Sequence, residues 1–198
     1  RGKHASAAAT SVVYGIADFS TATTYLVGSP GSGCIVNRIL YFAADSYVTY
    51  NATGYSAPSV HAFDGTVDTE VFRLPINPDV GATAVPKGIL SMLAHGGLIY
   101  ISTFDGGTTS ADYLGRVFQF NPASGALTLM GATFPTGHLP YALEFHEGKL
   151  WVGTNTADMT LNGKIYFIRP NVDTAWTLDI TGTNGNYCSL KSFNGSLF

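Results

Sequence analysis

Three stretches of the chain share one order of apolar and polar positions: apolar residues, a two-residue turn ending in Gly, then an apolar residue and an aromatic. They are Ser91–Tyr100, Ala142–Trp151 and Ser189–Phe198. Their glycines Gly97, Gly148 and Gly195 lie 51 and then 47 residues apart. A Gly at the second turn position accepts the positive φ of a type I′ turn, whose twist matches the strands it joins. Each stretch therefore predicts a β-hairpin, strands a and b. A degenerate copy runs from Cys34 to Ala43, with Asn37-Arg38 at the turn.

A second pattern falls between the hairpins. Gly115-Arg116-Val117-Phe118-Gln119-Phe120-Asn121-Pro122 matches Gly163-Lys164-Ile165-Tyr166-Phe167-Ile168-Arg169-Pro170, offset by 48 residues. Each is followed by a turn and another short strand, Ala126 to Met130 and Ala175 to Ile180. Ser59 to Asp64 with Glu70 to Leu74 is a third copy, and Val12 to Asp18 with Thr24 to Val27 a fourth. These are strands c and d. The expected pairs are cd near 11–28, 59–75, 116–131 and 164–180, and ab near 34–44, 89–103, 141–154 and 188–198.

A unit of roughly 50 residues and four strands is the period of propeller blades. A β-sandwich would not repeat the same turn Gly and strand-end aromatic at near-constant spacing. The predicted fold is all-β: a β-propeller of four-stranded antiparallel blades, either a single domain over 1–198 or part of a larger propeller.

Composition agrees. Charged residues make up 12% of the 198 residues, about half the roughly 25% typical of soluble domains. Abundant Gly, Thr, Ser and aromatics disfavour helix and suit strands joined by turns. A net charge of −3 offers no basic field for nucleic acid. No apolar run approaches the roughly 18 residues that span a bilayer, so membrane insertion is not expected.

The order of hairpin Gly, aromatic, Gly-x-apolar-aromatic, Asn-Pro or Arg-Pro turn, then a Trp or Leu strand resembles the kelch-like group of β-propellers. The likeness covers about Gly88 to Phe198 well and the first half loosely. It departs where Ser102-Thr103 and Gly153-Thr154 replace the paired glycines that close kelch strand b. The chain stops inside a strand b, at Leu197-Phe198. Two closures are open: a compact four-bladed ring, or a share of a six- or seven-bladed one, to which the abrupt stop points. Cys34 and Cys188 read as two buried thiols, and a bridge gains weight only in the four-bladed ring.

Candidate chemistry is sparse. His95 and His146 occupy equivalent hairpin positions, which the repeat explains, and no metal-ligand spacing occurs among His4, His61, His95, His138 and His146. No Gly-x-Ser-x-Gly elbow is present. No cofactor or metal is expected. Carboxylates for glycan cleavage would be Asp45, Asp105, Asp112 and Asp158, all read as lying in b-to-c loops. The Ser-x-Asp-x-Gly-x-Thr-Trp turn of sialidase-like propellers finds only Phe104-Asp105-Gly106-Gly107-Thr108-Thr109, without the Trp. Arg116, Lys149 and Lys164 read as solvated strand-edge cations.

Long b-to-c and d-to-a connections gather on one face, where recognition is normally built. Tyr47, Tyr50, Tyr55, Asp105, Asp112, Tyr113, His138 and Asp158 are the candidate binding residues there, Tyr supplying contact area and a hydroxyl. The resulting expectation is a non-catalytic binding or structural module, extracellular or on a virion surface. It would hold a protein or glycan partner, alone or in a larger assembly. The alternative is a glycan-active hydrolase or lyase with carboxylates at the propeller mouth.

Overall fold

In a computed structural model, residues 26–27, 33–45, 58–74, 85–106, 113–156, 163–181, 187 and 189–198 are described. Among them every regular element is a β-strand. Strands β1 (Leu26–Val27), β2 (Gly33–Val36), β3 (Ile39–Asp45), β4 (Ser59–Phe63) and β5 (Asp68–Arg73) form the first sheet, with β1 and β2 side by side along the same edge of β3. Strands β6 (Val85–His95), β7 (Leu98–Gly106), β8 (Leu114–Asn121) and β9 (Ala126–Leu129) form the second. Strands β10 (His138–His146), β11 (Lys149–Thr156), β12 (Lys164–Ile168) and β13 (Thr177–Thr181) form the third, and β14 (Ser192–Phe193) with β15 (Ser196–Leu197) makes a two-stranded sheet. All pairings are antiparallel between neighbours, the meander of propeller blades.

The turn chemistry is uniform. Both central residues have positive φ at Gly96-Gly97, Glu147-Gly148 and Asn194-Gly195, and at Asn37-Arg38 as well. The degenerate copy thus makes the same type I′ turn although Arg38 carries a side chain at φ 68°. Leu26–Val27, assigned from sequence to a strand d, instead pairs with Asp45 and Ala44 of β3 and extends the first sheet.

The core lies between the sheets. Val36, Tyr41, Ala43 and Val60 of blade 1 pack with Ile89, Ile99, Ile101, Phe118 and Phe120 of blade 2. Tyr100, Val117, Met130 and Phe134 pack with Leu143, Leu150, Val152, Tyr166 and Ile168 of blade 3. Ala142 and Ile165 meet Leu190, with Trp151, Tyr187 and Leu197 around them. Alternation along each strand explains this, since odd positions serve one seam and even positions the next. The first strands touch in series, β2 with β6, β6 with β10 and β10 with β14, so they line the common axis.

The hairpin histidines stitch the blades at the turn end. His95 stacks on Phe145 with ring centroids 3.6 Å apart. His146 Nδ1 lies 2.8 Å from Ser192 Oγ. Among the described residues no group of three or more His, Cys, Asp or Glu is arranged to hold a metal ion.

Candidate functional site at the loop end of the blades

Buried polar side chains collect at the end of the strands opposite the hairpin turns. In blade 2 they are Ser102, Thr103 and Asp105 near the end of β7, and Arg116 near the start of β8. In blade 3 they are His138 at the start of β10 and Thr154, Asn155 and Thr156 at the end of β11. The long b-to-c connections, 107–112 and 157–162, leave from this end.

The base of the blade 2 connection is closed by an ion pair. Arg116 Nη2 donates to Asp105 Oδ1 at 2.7 Å, with 3% and 1% of the two side chains exposed. The guanidinium also lies 4.9 Å from the Phe118 ring centroid. This corrects two expectations. Arg116 is not a solvated edge cation, because β8 runs between β7 and β9 and its alternate residues enter the blade 1–blade 2 seam. Asp105 is not a loop residue: it belongs to β7 and shares a face with Ile99 and Ile101. Asp45 likewise belongs to a strand, β3. The other two cations do stand at the first residues of their strands, β11 and β12, but are half-buried rather than solvated. Lys149 Nζ sits 4.4 Å from the Phe167 ring centroid and 5.4 Å from that of Trp151. Lys164 pairs through its backbone with Thr154.

The blade 3 connection is closed without a buried ion pair. Thr154 Oγ1 donates to the Lys164 carbonyl at 3.0 Å and accepts the Lys164 N–H at 2.9 Å. His138 Nδ1 approaches the same Oγ1 at 3.4 Å. The hydroxyl proton is already given to the Lys164 carbonyl, so Nδ1 must be the donor and Nε2 keeps its lone pair. Burial, and then the charge of Lys164, lowers the His138 pKa below its ordinary 6.5. The imidazole is therefore neutral at pH 7.

His138 reaches this place along a fixed track. The backbone N–H groups of Met130, Phe134 and Gly137 donate to the carbonyls of Val117, Gly115 and Tyr113, so the d-to-a connection follows β8. A Cβ at Gly115 would stand 2.4 Å from Pro140 Cδ and 2.7 Å from the His138 carbonyl oxygen. Only Gly lets β8 and β10 approach so closely.

Of the predicted binding residues, the structure brings Tyr113 and the His138 segment together. Gly137 bonds to Tyr113, whose half-buried ring lies 5.6 Å from Phe104. Asp105 faces the other seam. Tyr47, Tyr50, Tyr55, Asp112 and Asp158 lie outside the described residues, as does Cys188. Cys34 is a free thiol whose pKa burial pushes up to about 11, which leaves it protonated and weakly reactive. Sequence reasoning missed Arg116, Thr154 and Thr156. The recurrence of Gly-cation-apolar at Arg116 and Lys164 was the available signal, since a strand between two others buries its alternate residues.

A second polar line runs along blade 1. Asp68 Oδ1 is 2.9 Å from His61 Nδ1, and His61 Nε2 is 3.1 Å from Ser59 Oγ. The order matches a serine hydrolase relay, but Ser59 is buried and the Asp68 side chain exposed, the reverse of what nucleophilic attack requires. The line ties β4 to β5.

No family model and no curated protein sequence matches the chain. Solved structures do. One is a sialidase from Trypanosoma rangeli, captured as a covalent intermediate with 2,3-difluorosialic acid; it has a TM-score of 0.55 at 10% identity, over 89% of this chain and 33% of that one. An exo-β-1,3-galactanase from Clostridium thermocellum gives 0.51 at 12% identity, over 81% and 38%. Zg3597, a family 117 glycoside hydrolase from the marine bacterium Zobellia galactanivorans, gives 0.51 at 12%, over 82% and 63%.

The chain is a β-propeller. It spans from about a third to somewhat under two thirds of the length of these proteins. At such low identities the likeness establishes the fold; the kelch-like grouping is not part of what it establishes. It does overturn the expectation of a non-catalytic module. The propellers this chain is similar to are a galactanase, a sialidase and a family 117 glycoside hydrolase, which moves the reading to the glycan-active alternative. Nor do they support a structural or virion role.

Proposed function

We propose that this chain contributes blades to a glycan-active hydrolase whose carboxylates, Asp112 and Asp158, are carried by the b-to-c connections of blades 2 and 3. The observation that carries this reading is the locking of both loop bases by buried polar ties, Asp105 to Arg116 and Thr154 to the Lys164 backbone. Glycoside cleavage needs two carboxyl groups held at a fixed separation, one giving a proton to the leaving oxygen and one attacking or activating water. Loops free at their bases would not hold that separation; buried ties fix the strand ends from which these loops leave.

In this reading Asp105 is a positioning residue, too deeply buried to touch a sugar. Tyr113, with Tyr47, Tyr50 and Tyr55, supplies ring faces for the sugar and hydroxyls for hydrogen bonding. The kelch-like grouping belongs to the same proposal; the recurring hairpin Gly supports it, and the missing double glycine counts against it.

The test is turnover of β-1,3-galactan and of sialosides, with binding followed in parallel. Asp112→Asn and Asp158→Asn are expected to lower kcat by about 10²-fold or more while binding persists. Sugar binding with no turnover by the unaltered chain, or turnover indifferent to both changes, would overturn the proposal.

A further inference from the structure

The innermost strands of blades 2 and 3 share an irregularity at the same place. Ile89 pairs with Thr103 and Ser91 with Ser102, so Leu90 is an extra residue in β6. Pro140 pairs with Thr154 and Ala142 with Gly153, so Tyr141 is an extra residue in β10. Leu90 and Tyr141 lie 51 residues apart, the spacing of the turn glycines Gly97 and Gly148. The bulge therefore belongs to the repeat. Both copies stand at the level of a loop base: Thr103 pairs with Arg116 across β7 and β8, and Thr154 is tied to the Lys164 backbone.

An extra residue resets the alternation of the strand and re-aims the side chain that it carries. Residues two apart along a strand normally share a face. Across the bulge of β10 they do not. Pro140 faces blade 2, where a Cβ on Gly115 would press on its ring, whereas Ala142 clusters with Leu190 of the next hairpin. Leu143 then returns to the cluster between blades 2 and 3. Tyr141 is thus left at the open edge of β10. That edge faces the axis, because β10 ends the order of its sheet and has β6 and β14 on its two flanks. Tyr141 is 37% exposed, while Leu139, Pro140, Ala142 and Leu143 are buried. Leu90, in a strand flanked by β2 and β10, is half-buried. The exposure of Tyr141 is therefore that of a strand with a neighbour on each side, not of an outer face of the stack.

We propose that Tyr141 binds the sugar: its ring forms a wall of the axial opening at the level of the loop bases and stacks on the C–H face of a pyranose ring. This rests on the glycan-active reading and adds a residue and a subsite to it. Tyr141 lies three residues inside the start of β10, a depth of roughly 10 Å along an extended strand. Stacking removes water from the flat faces of both rings, and the phenol hydroxyl keeps a partner in the sugar hydroxyls. The contact selects ring shape and C–H face, since an uncharged phenol has no countercharge to offer an acidic group. The candidates drawn from the long loops did not include Tyr141, because a position inside a strand gives no sign in the sequence that the ladder skips it.

The full chain is tested with a β-1,3-galacto-oligosaccharide and sialyllactose as probes. Tetranitromethane nitrates accessible tyrosines, and peptide mapping by mass spectrometry reads Tyr141 by itself. Nitration of Tyr141 is expected in the free chain and should slow in proportion to the fraction of chain that has sugar bound. Tyr141→Ala is expected to weaken binding about tenfold, and Tyr141→Phe about threefold through the lost hydroxyl. Tyr141→Trp, which keeps a ring face, should bind nearly as the unaltered chain does. Where a sugar is turned over, Tyr141→Ala should raise KM and leave kcat nearly unchanged, the mark of a contact made equally in ground and transition states. A thermal melt of each variant checks that the blades remain folded, and nitration of the unaltered chain decides the matter if Tyr141→Ala does not fold. A Tyr141 that is not nitrated in the free chain would overturn the proposal. So would nitration indifferent to bound sugar, or a folded Tyr141→Ala chain that binds as tightly as the unaltered one. Binding that protects Tyr141 without turnover sinks the hydrolase reading and leaves this one standing; turnover without protection does the reverse. Binding of neither sugar would overturn both.

Discussion

Blades 2 and 3 close the bases of their long loops at equivalent positions with different chemistry. Thr103 and Arg116 pair across β7 and β8 as Thr154 and Lys164 face each other across β11 and β12. Two residues past each Thr stand Asp105 and Thr156, both buried. In blade 2 the tie is a charge pair taken out of water; in blade 3 it is a threonine hydroxyl bridging a backbone N–H and carbonyl. The lesson is one of risk. A buried ion pair adds little net stability over a hydrophobic pair but is costly to break on one side, whereas a neutral hydroxyl tie costs less to make and less to lose.

The comparison can be pressed experimentally. The largest effect is expected from Arg116→Met, which removes the charged partner of the buried Asp105 carboxylate; about 3–5 kcal/mol should disappear from the urea unfolding free energy. The double change Arg116→Met/Asp105→Leu should recover most of it, and a double variant no better than the single would show that the carboxylate is not the source of the loss. Thr154→Val comes next, at about 1–3 kcal/mol, because the Lys164 N–H and carbonyl lose a buried partner. Should Thr154→Val match Arg116→Met, the two loop bases would not differ in kind.

The smallest effect belongs to His138 and appears as pH dependence. Its folded-state pKa lies below the ordinary 6.5 because burial, and then Lys164, disfavour the charged ring. The unfolded chain therefore binds the extra proton more readily, and folding stability falls as pH drops below 6.5 towards the folded value. Above 6.5 this contribution is fully present. His138→Gln should flatten thermal stability across that window, apart from a constant offset seen also at pH 8; an equally steep acid loss in the variant would clear His138 of the effect.

Much of the fold was legible because propeller strands are local objects. A type I′ turn announces itself through Gly97, Gly148 and Gly195, and even Asn37-Arg38 was recognisable by its place in the repeat. The site was less legible. Asp105 before Gly106 looked like a turn residue, since Asp-Gly is a turn signal wherever it occurs. Nothing local reveals that β7 carries on through it. Arg116 looked solvated for the same reason: a cation beside Gly at a strand start is on the surface unless another sheet packs over it.

What the sequence determined by itself is the repeating unit: strand periodicity, turn type and the order of four strands, all set by contacts between residues close along the chain. Tertiary structure decided which side of each strand is covered, and so which polar residues became buried ties and which apolar ones stayed bare. Those outcomes depend on residues about fifty positions apart, as with His146 and Ser192 or Trp176 and the Met130 carbonyl. The free energy of burial at a position is a property of its neighbours in space, and the linear pattern records only one side of each such contact.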